Sequence, residues 1–217
     1  MKQLTIIPIL IAVLFFALVK TAFANDGKYV EAMKKNIEAV YKAQTIEELQ
    51  ASVNAFQRIA DAEKTKWEPY YYAALGSILM ATREEVGAKK DEYLDRAMEF
   101  VKKCKEITSD ESEVITLEGF VYTIRVTVDP ATRGPQFAGL AMQTYGKAIA
   151  LNPENPRALS MLAQMQYGTA QFFGSSTAEA CATLDKSLEK FSTYKSDNSL
   201  APMWGKKGAE DLKAQCK

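Results

Sequence analysis

The sequence predicts an all-α chain of stacked antiparallel helix hairpins, and three observations predict it. Apolar residues recur at helical spacing along nearly the whole chain after residue 24, whereas alternating β-branched runs are scarce. The stretch from Tyr145 to Tyr167 reads as the end of one helix, a tight turn and the start of the next. Ala141, Tyr145 and Ala148 keep one period, Asn152-Pro153 stops it, Asn155 caps a new helix with Pro156 at its first position, and Leu159, Leu162 and Ala163 resume. Finally, no Gly/Ser linker, long charge block or low-complexity tract divides the chain, so residues 25–217 read as a single domain.

Residues 1–24 stand apart from that pattern. Lys2 gives a positive start, an apolar run extends from Leu4 to Val19, and Ala22-Phe23-Ala24 offers a small-x-small cleavage site. The segment reads as a cleaved signal peptide, with the mature chain starting at Asn25. The competing reading is an uncleaved anchor, but Pro8 interrupts the run and Lys20 ends it short of the roughly 20 apolar residues a spanning helix needs. The expected location is therefore outside the cytoplasm, periplasmic or secreted, with no membrane span after cleavage.

The elements follow in order. Tyr29, Val30, Met33, Ile37, Val40 and Tyr41 mark one face of a helix from Gly27 to Ala43, and Thr45 with Glu48 forms a capping box for a second helix ending near Ala62. After Trp67-Glu68-Pro69, a helix from Tyr70 to Ala81 precedes a polar connection, Thr82 to Lys90, and a partner helix from Asp91 to Ile107. Glu111 to Val128 gives the next helix. Two prolines and a glycine make Asp129 to Pro135 a rigid loop, and the following helix carries Phe137 to Leu151. Arg157 to Gln171, a Phe172-Phe173-Gly174-Ser175-Ser176 loop and Thr177 to Tyr194 form a further pair, and Pro202, Trp204 and Leu212 fall on a last helix that caps the stack.

Charge and cysteine content narrow the function. The chain carries 27 basic and 27 acidic side chains, and removing Lys2 and Lys20 with the leader leaves it slightly acidic, which argues against nucleic acid as a partner. It has no histidine, so the commonest general base and a common zinc ligand are missing together. No P-loop, dinucleotide glycine pattern, nucleophile elbow or metal-ligand cluster is visible, and the expectation is a protein without catalysis, cofactor or metal. Of the cysteines, Cys181 and Cys216 lie almost equidistant from a turn near Asn198, which places them side by side if the arms are antiparallel helices. A disulfide or two reduced thiols both satisfy that geometry, and an oxidising compartment favours the disulfide. Cys104 is left over as a small apolar residue on a helix.

These spacings resemble the tetratricopeptide repeat (TPR) family. Tyr72, Leu75, Gly76 and Leu79 give the large-large-small-large order of its first helix, and Ile115, Gly119 and Tyr122 repeat it with Glu118 where the family prefers leucine. Ala141, Tyr145, Ala148 and Pro153 match its second helix, as do Ala180, Leu184 and Ser187. The resemblance implies a right-handed superhelix of stacked antiparallel helix hairpins, a TPR-like α-solenoid, with small residues where helices cross. It also implies a concave groove, lined by the first helices, that binds a protein or peptide.

On that register the groove-facing candidates are Tyr70, Ser77, Met80, Phe120, Thr123, Arg157, Gln164 and Tyr167. They make a mixed aromatic and polar surface of the kind that buries an apolar anchor amid hydrogen bonds. The lysines and asparagines that grip a chaperone tail in one TPR subclass are replaced by Tyr70, Ala73, Ala74 and Ser77. A second class of function is a carrier of an amphiphile or a sugar, held in the same groove by Met80, Phe120 and Tyr167. A hydrolase with a carboxylate pair is a third, with no convergent constellation visible to carry it.

Overall fold

A computed structural model describes residues 26–216, and every regular element among them is a helix. The expected signal segment and its cleavage site lie outside the described residues. Helix α1 occupies 26–42 of the described chain, followed by α2 (Ile46–Ala62), α3 (Glu68–Arg83), α4 (Gly87–Ile107), α5 (Ser112–Val128), α6 (Pro130–Leu151), α7 (Pro156–Phe173), α8 (Ala178–Thr193) and α9 (Lys206–Lys213). Each helix from α2 to α8 packs on its successor. In addition α3 touches α5 and α5 touches α7, the pattern of hairpins piled in one direction.

Local signals explain most boundaries. The Thr45 hydroxyl accepts from the Glu48 N–H while the Glu48 carboxylate accepts from the Thr45 N–H, the reciprocal cap read from the sequence. The Asn155 side chain accepts from the N–H groups of Arg157 and Ala158, and its amide donates to Ser112, so one residue both starts α7 and pins it to α5.

Small residues sit at the crossings as the repeat pattern requires. Gly76 and Gly119 are buried, as are Ala97, Ala148, Ala163 and Ser187. A Cβ at Gly76 would lie 2.7 Å from Val53 Cγ2, and one at Gly119 would land inside the Tyr145 ring. The close approach of the helices therefore depends on these two glycines.

Several boundaries differ from expectation. Asp129 to Pro135 is not a loop. Pro130 takes the first helical position, where a missing N–H is harmless, the Asp129 side chain accepts from the Thr132 N–H, and Pro135 sits inside α6 early enough that only one first-turn carbonyl loses a donor. The connection between α3 and α4 shrinks to residues 84–86, because charged residues up to Lys90 form the exposed first turn of α4. Phe172 and Phe173 belong to the end of α7, stopped by Gly174 in the left-handed conformation at φ 65°, and both rings are exposed. The last helix is shorter than expected: Pro202 and Trp204 precede it on an irregular segment.

That irregular segment, residues 194–205, runs back over the stack to α1 and α3. Its start is held at Arg157, whose guanidinium lies 4.4 Å from the centre of the Tyr194 ring. Its end is Gly205, at φ 101°, where a side chain would also press within 3.1 Å of Arg157 and Phe191. Beyond it α9 buries Ala209 and Leu212 in a small cluster with Ala163, Tyr167, Ala180 and Leu184. Cys181 and Cys216 are bonded there, closing a span of 35 residues that holds α9 against α8. Cys104 is free and buried, as read from the sequence.

Candidate functional site

The alternate helices α1, α3, α5 and α7 supply one continuous inner wall, and a cleft of about 390 Å³ opens on it. Helix α1 contributes Val40 and Tyr41 near its end. Helix α3 contributes Leu75, Leu79 and Arg83, spaced by four residues so that they form one stripe along the helix. Phe120 of α5 and Ser160, Met161 and Gln164 of α7 complete the helical wall. The second helices α2, α4, α6 and α8 supply none of the lining, as expected for hairpins whose first members face inward.

The remaining wall is the end of the irregular segment and the first turn of α9. Trp204 lies against Phe120 with ring centres 5.5 Å apart and planes tilted by 25°, an offset stack at the edge of the cleft, and Gly205 and Gly208 line it beside Trp204.

Three tyrosines hold this segment in place. A strap without secondary structure leaves its backbone polar groups to find partners elsewhere. Tyr72 donates its hydroxyl hydrogen to the Leu200 carbonyl at 2.6 Å, the Met203 N–H donates to the Tyr41 oxygen at 3.1 Å, and the Trp204 indole N–H donates to the Tyr71 oxygen at 2.9 Å. Burial pushes the hydroxyls of Tyr41, Tyr71 and Tyr72 above the ordinary tyrosine range, so all three stay neutral at physiological pH. Asn198 adds a bond to Glu68 at 3.2 Å.

The eight sequence candidates separate on inspection of their surroundings. Phe120 and Gln164 come together in the cleft. Tyr70 lies elsewhere, packed toward Phe100 with Lys103 over its ring. Ser77 and Met80 have no exposed surface, the Ser77 hydroxyl being bonded to the Ala73 carbonyl. Thr123 shares a buried hydrogen bond of 2.7 Å with the Tyr145 hydroxyl. Tyr167 packs under α9, its hydroxyl 3.4 Å from the Gln215 carbonyl.

Arg157 is an internal anchor. It is 1% exposed and makes contacts of 2.8–3.0 Å with the Glu113 carboxylate. Burial works against its charge, but the hydrogen bonds and charge of Glu113 prevail and raise its pKa further. Such a pair adds little net stability over an apolar substitute, yet breaking one partner strands the other. Its clear structural effect is positional: one guanidinium joins α7, the Glu113 carboxylate of α5 and the Tyr194 ring at the start of the strap.

Tyr41, Arg83, Met161 and Trp204 are cleft residues that the sequence reading missed. The Leu75, Leu79, Arg83 stripe is legible as a four-residue period once α3 is extended to Arg83. Nothing near Trp204 in the sequence announces its partners, because Tyr71 and Phe120 are far away along the chain.

Among the described residues, no group of three or more His, Cys, Asp and Glu side chains is arranged to hold a metal ion, and no helix is long and apolar enough to cross a membrane.

No protein-family model matches the chain, and no curated protein matches it by sequence. Among solved structures it is similar to the HusA haemophore from Porphyromonas gingivalis, with 26% sequence identity, a TM-score of 0.78, and coverage of 87% of this chain and 92% of that one. The MamA protein aligns over 80% of this chain and 99% of its own, but at 15% identity and a TM-score of 0.31 the likeness carries no argument.

Proposed function

We propose that this protein is a non-catalytic binding protein that carries a flat, largely apolar small molecule of the haem and porphyrin class in the cleft beneath Trp204. The observation that carries the reading is the juxtaposition of Phe120 and Trp204 at the mouth of an apolar cleft, in a chain whose likeness to a haemophore extends over nearly the whole of both molecules. Stacked rings offer a planar ligand a face, and a cleft of about 390 Å³ falls within the usual range for small-molecule sites.

The chain has no histidine, so imidazole ligation of a haem iron is excluded. Met161 and Tyr41 line the cleft, and the Tyr41 oxygen already accepts from the Met203 N–H, so the reading rests on contacts to the ligand's face and edges and not on ligation of an iron. An extended peptide lying along the inner wall would have to displace the strap from its three tyrosines, which favours the small-molecule reading over the peptide reading. The repeat spacing supports assignment of the hairpins as TPR-like, and the N-terminal pattern and the Cys181–Cys216 bridge support a cleaved leader and an exported single domain of residues 25–217.

The test is titration of the mature chain with haemin and with metal-free protoporphyrin IX, followed by absorbance and tryptophan quenching. Saturable one-site binding is expected, weakened at least about fivefold in Phe120→Ala, the size of one lost ring contact plus its burial. Absence of saturable binding, or a Phe120→Ala variant that is folded and binds like the parent, overturns the proposal.

A further inference from the structure

We infer that the ligand of this cleft carries an ionised carboxylate and that the guanidinium of Arg83 receives it, an inference that rests on the carrier reading above. Arg83 is the charged side chain of the lining, all other members being apolar, aromatic or neutral polar. It ends the stripe that begins with Leu75 and Leu79, so an apolar body lying along that stripe presents its far edge to the guanidinium.

The group is also positioned. Arg83 Nη2 donates to the Ala43 carbonyl at 2.9 Å, just beyond the end of α1, which fixes the plane of the guanidinium relative to the cleft. A guanidinium has five N–H donors in a rigid fork that matches a carboxylate, and one bond to a carbonyl uses only one of them. Glu48, an exposed acid, is itself engaged by the N–H groups of Gln44 and Thr45, which with help from Arg83 hold its carboxyl below the ordinary range.

Two roles for Arg83 are separable: fastening α1 to α3 through Ala43, and receiving a charged ligand edge. Only the second depends on the chemistry of what is bound. The mouth is open to water, so the contribution to affinity is that of a partly screened charge-assisted pair, about tenfold at moderate ionic strength and less in high salt.

The experiment compares protoporphyrin IX with its dimethyl ester on the parent chain, on Arg83→Gln and on Arg83→Lys. The parent is expected to bind the diacid about tenfold more tightly than the ester. Arg83→Gln is expected to erase the roughly tenfold difference between diacid and ester, and Arg83→Lys to restore part of it.

Equal binding of acid and ester by the parent overturns the inference and leaves the carrier reading standing. Equal weakening of both ligands in Arg83→Gln also overturns it, since Arg83 would then act on the wall through Ala43. If neither porphyrin binds the parent, the carrier reading fails first and the inference with it.

Discussion

Reducing the Cys181–Cys216 bridge tests how the end of the molecule is held. The bond closes a span of 35 residues that includes most of α8, the strap and α9. Chain-entropy reasoning gives a loop of that length about 3.8 kcal/mol of stabilisation at 25 °C. The packing of α9 is small beside that figure: Ala209 and Leu212 are its buried side chains, together about 2–3 kcal/mol of apolar burial. The Lys213–Asp185 pair, at 2.6 Å with both groups substantially exposed, adds almost nothing. With that little packing of its own, α9 depends on the bridge. The expected result is local. Under a reductant, or in Cys181→Ser, amides of residues 206–216 exchange with deuterium up to about 600-fold faster, the factor equivalent to 3.8 kcal/mol, while α2 to α7 keep their protection. Unchanged exchange in 206–216 would show that packing alone holds α9 and refute the reasoning. Loss of protection throughout would refute the claim that the effect is confined to this end.

Further outcomes follow from single contacts. Tyr72→Phe deletes the donor to the buried Leu200 carbonyl, a loss of about 1–3 kcal/mol, and amides of the strap are expected to exchange faster while α4 and α5 do not change. Asp91 accepts from Arg133 at 2.6 and 2.8 Å and from Arg125 at 3.3 Å, joining α4 to α5 and α6, and the Arg133 guanidinium holds its carboxyl below the ordinary 3.8. Because the folded value is the lower one, this stabilisation is complete above about pH 5 and is lost as pH falls through the folded pKa; the difference in urea midpoint between the parent and Asp91→Asn should be largest at pH 7 and shrink as pH falls below the ordinary carboxylate value. Gly119→Ala drives a methyl into the Tyr145 ring and is expected to destabilise by about 1–3 kcal/mol despite the better helix propensity of alanine. Gly146→Ala, with open space at the same helical crossing's outer side, should instead stabilise by up to about 1 kcal/mol, and equal urea midpoints for the two variants would contradict this account.

The hairpins were legible because each is encoded locally. Capping at Thr45 and Asn155 and small residues at Gly76 and Gly119 are signals within one or two turns, but helical period does not separate groove from core on α3, α5 and α7, where Ser77, Met80, Thr123, Arg157 and Tyr167 are buried. Two misread boundaries, Asp129 to Pro135 and the residues up to Lys90, share a cause, since proline, glycine and charge break a helix only according to position; the last helix errs the other way, with Pro202 outside it. At the first turn of a helix these residues are harmless, and Asp129 and Pro130 show it in α6. The Cys181–Cys216 pairing is found, but not through the simple helical hairpin expected: the connection leaves as an irregular strap at residues 194–205, and the short α9 brings Cys216 back beside α8.

The strap has no period to read. Its contacts reach across 128, 133 and 162 positions, to Tyr72, Tyr71 and Tyr41, and each depends on one hydroxyl rather than on a repeated pattern. Yet it decides the chemistry of the inner wall. An open stack of hairpins presents a long groove suited to an extended chain, and the candidates chosen from repeat register were spread along such a groove from Tyr70 to Tyr167. Once residues 194–205 cross that wall and bring Trp204 onto Phe120, the groove becomes a short cleft with an aromatic edge. Phe120 belongs to both descriptions, and Trp204 only to the second. Phe120→Ala therefore tests whether the wall binds at all, whereas Tyr72→Phe, which loosens the strap without touching the lining, tests whether the closed cleft is what binds: a change in ligand affinity there, with α3 and α5 intact, would have no source in an open groove.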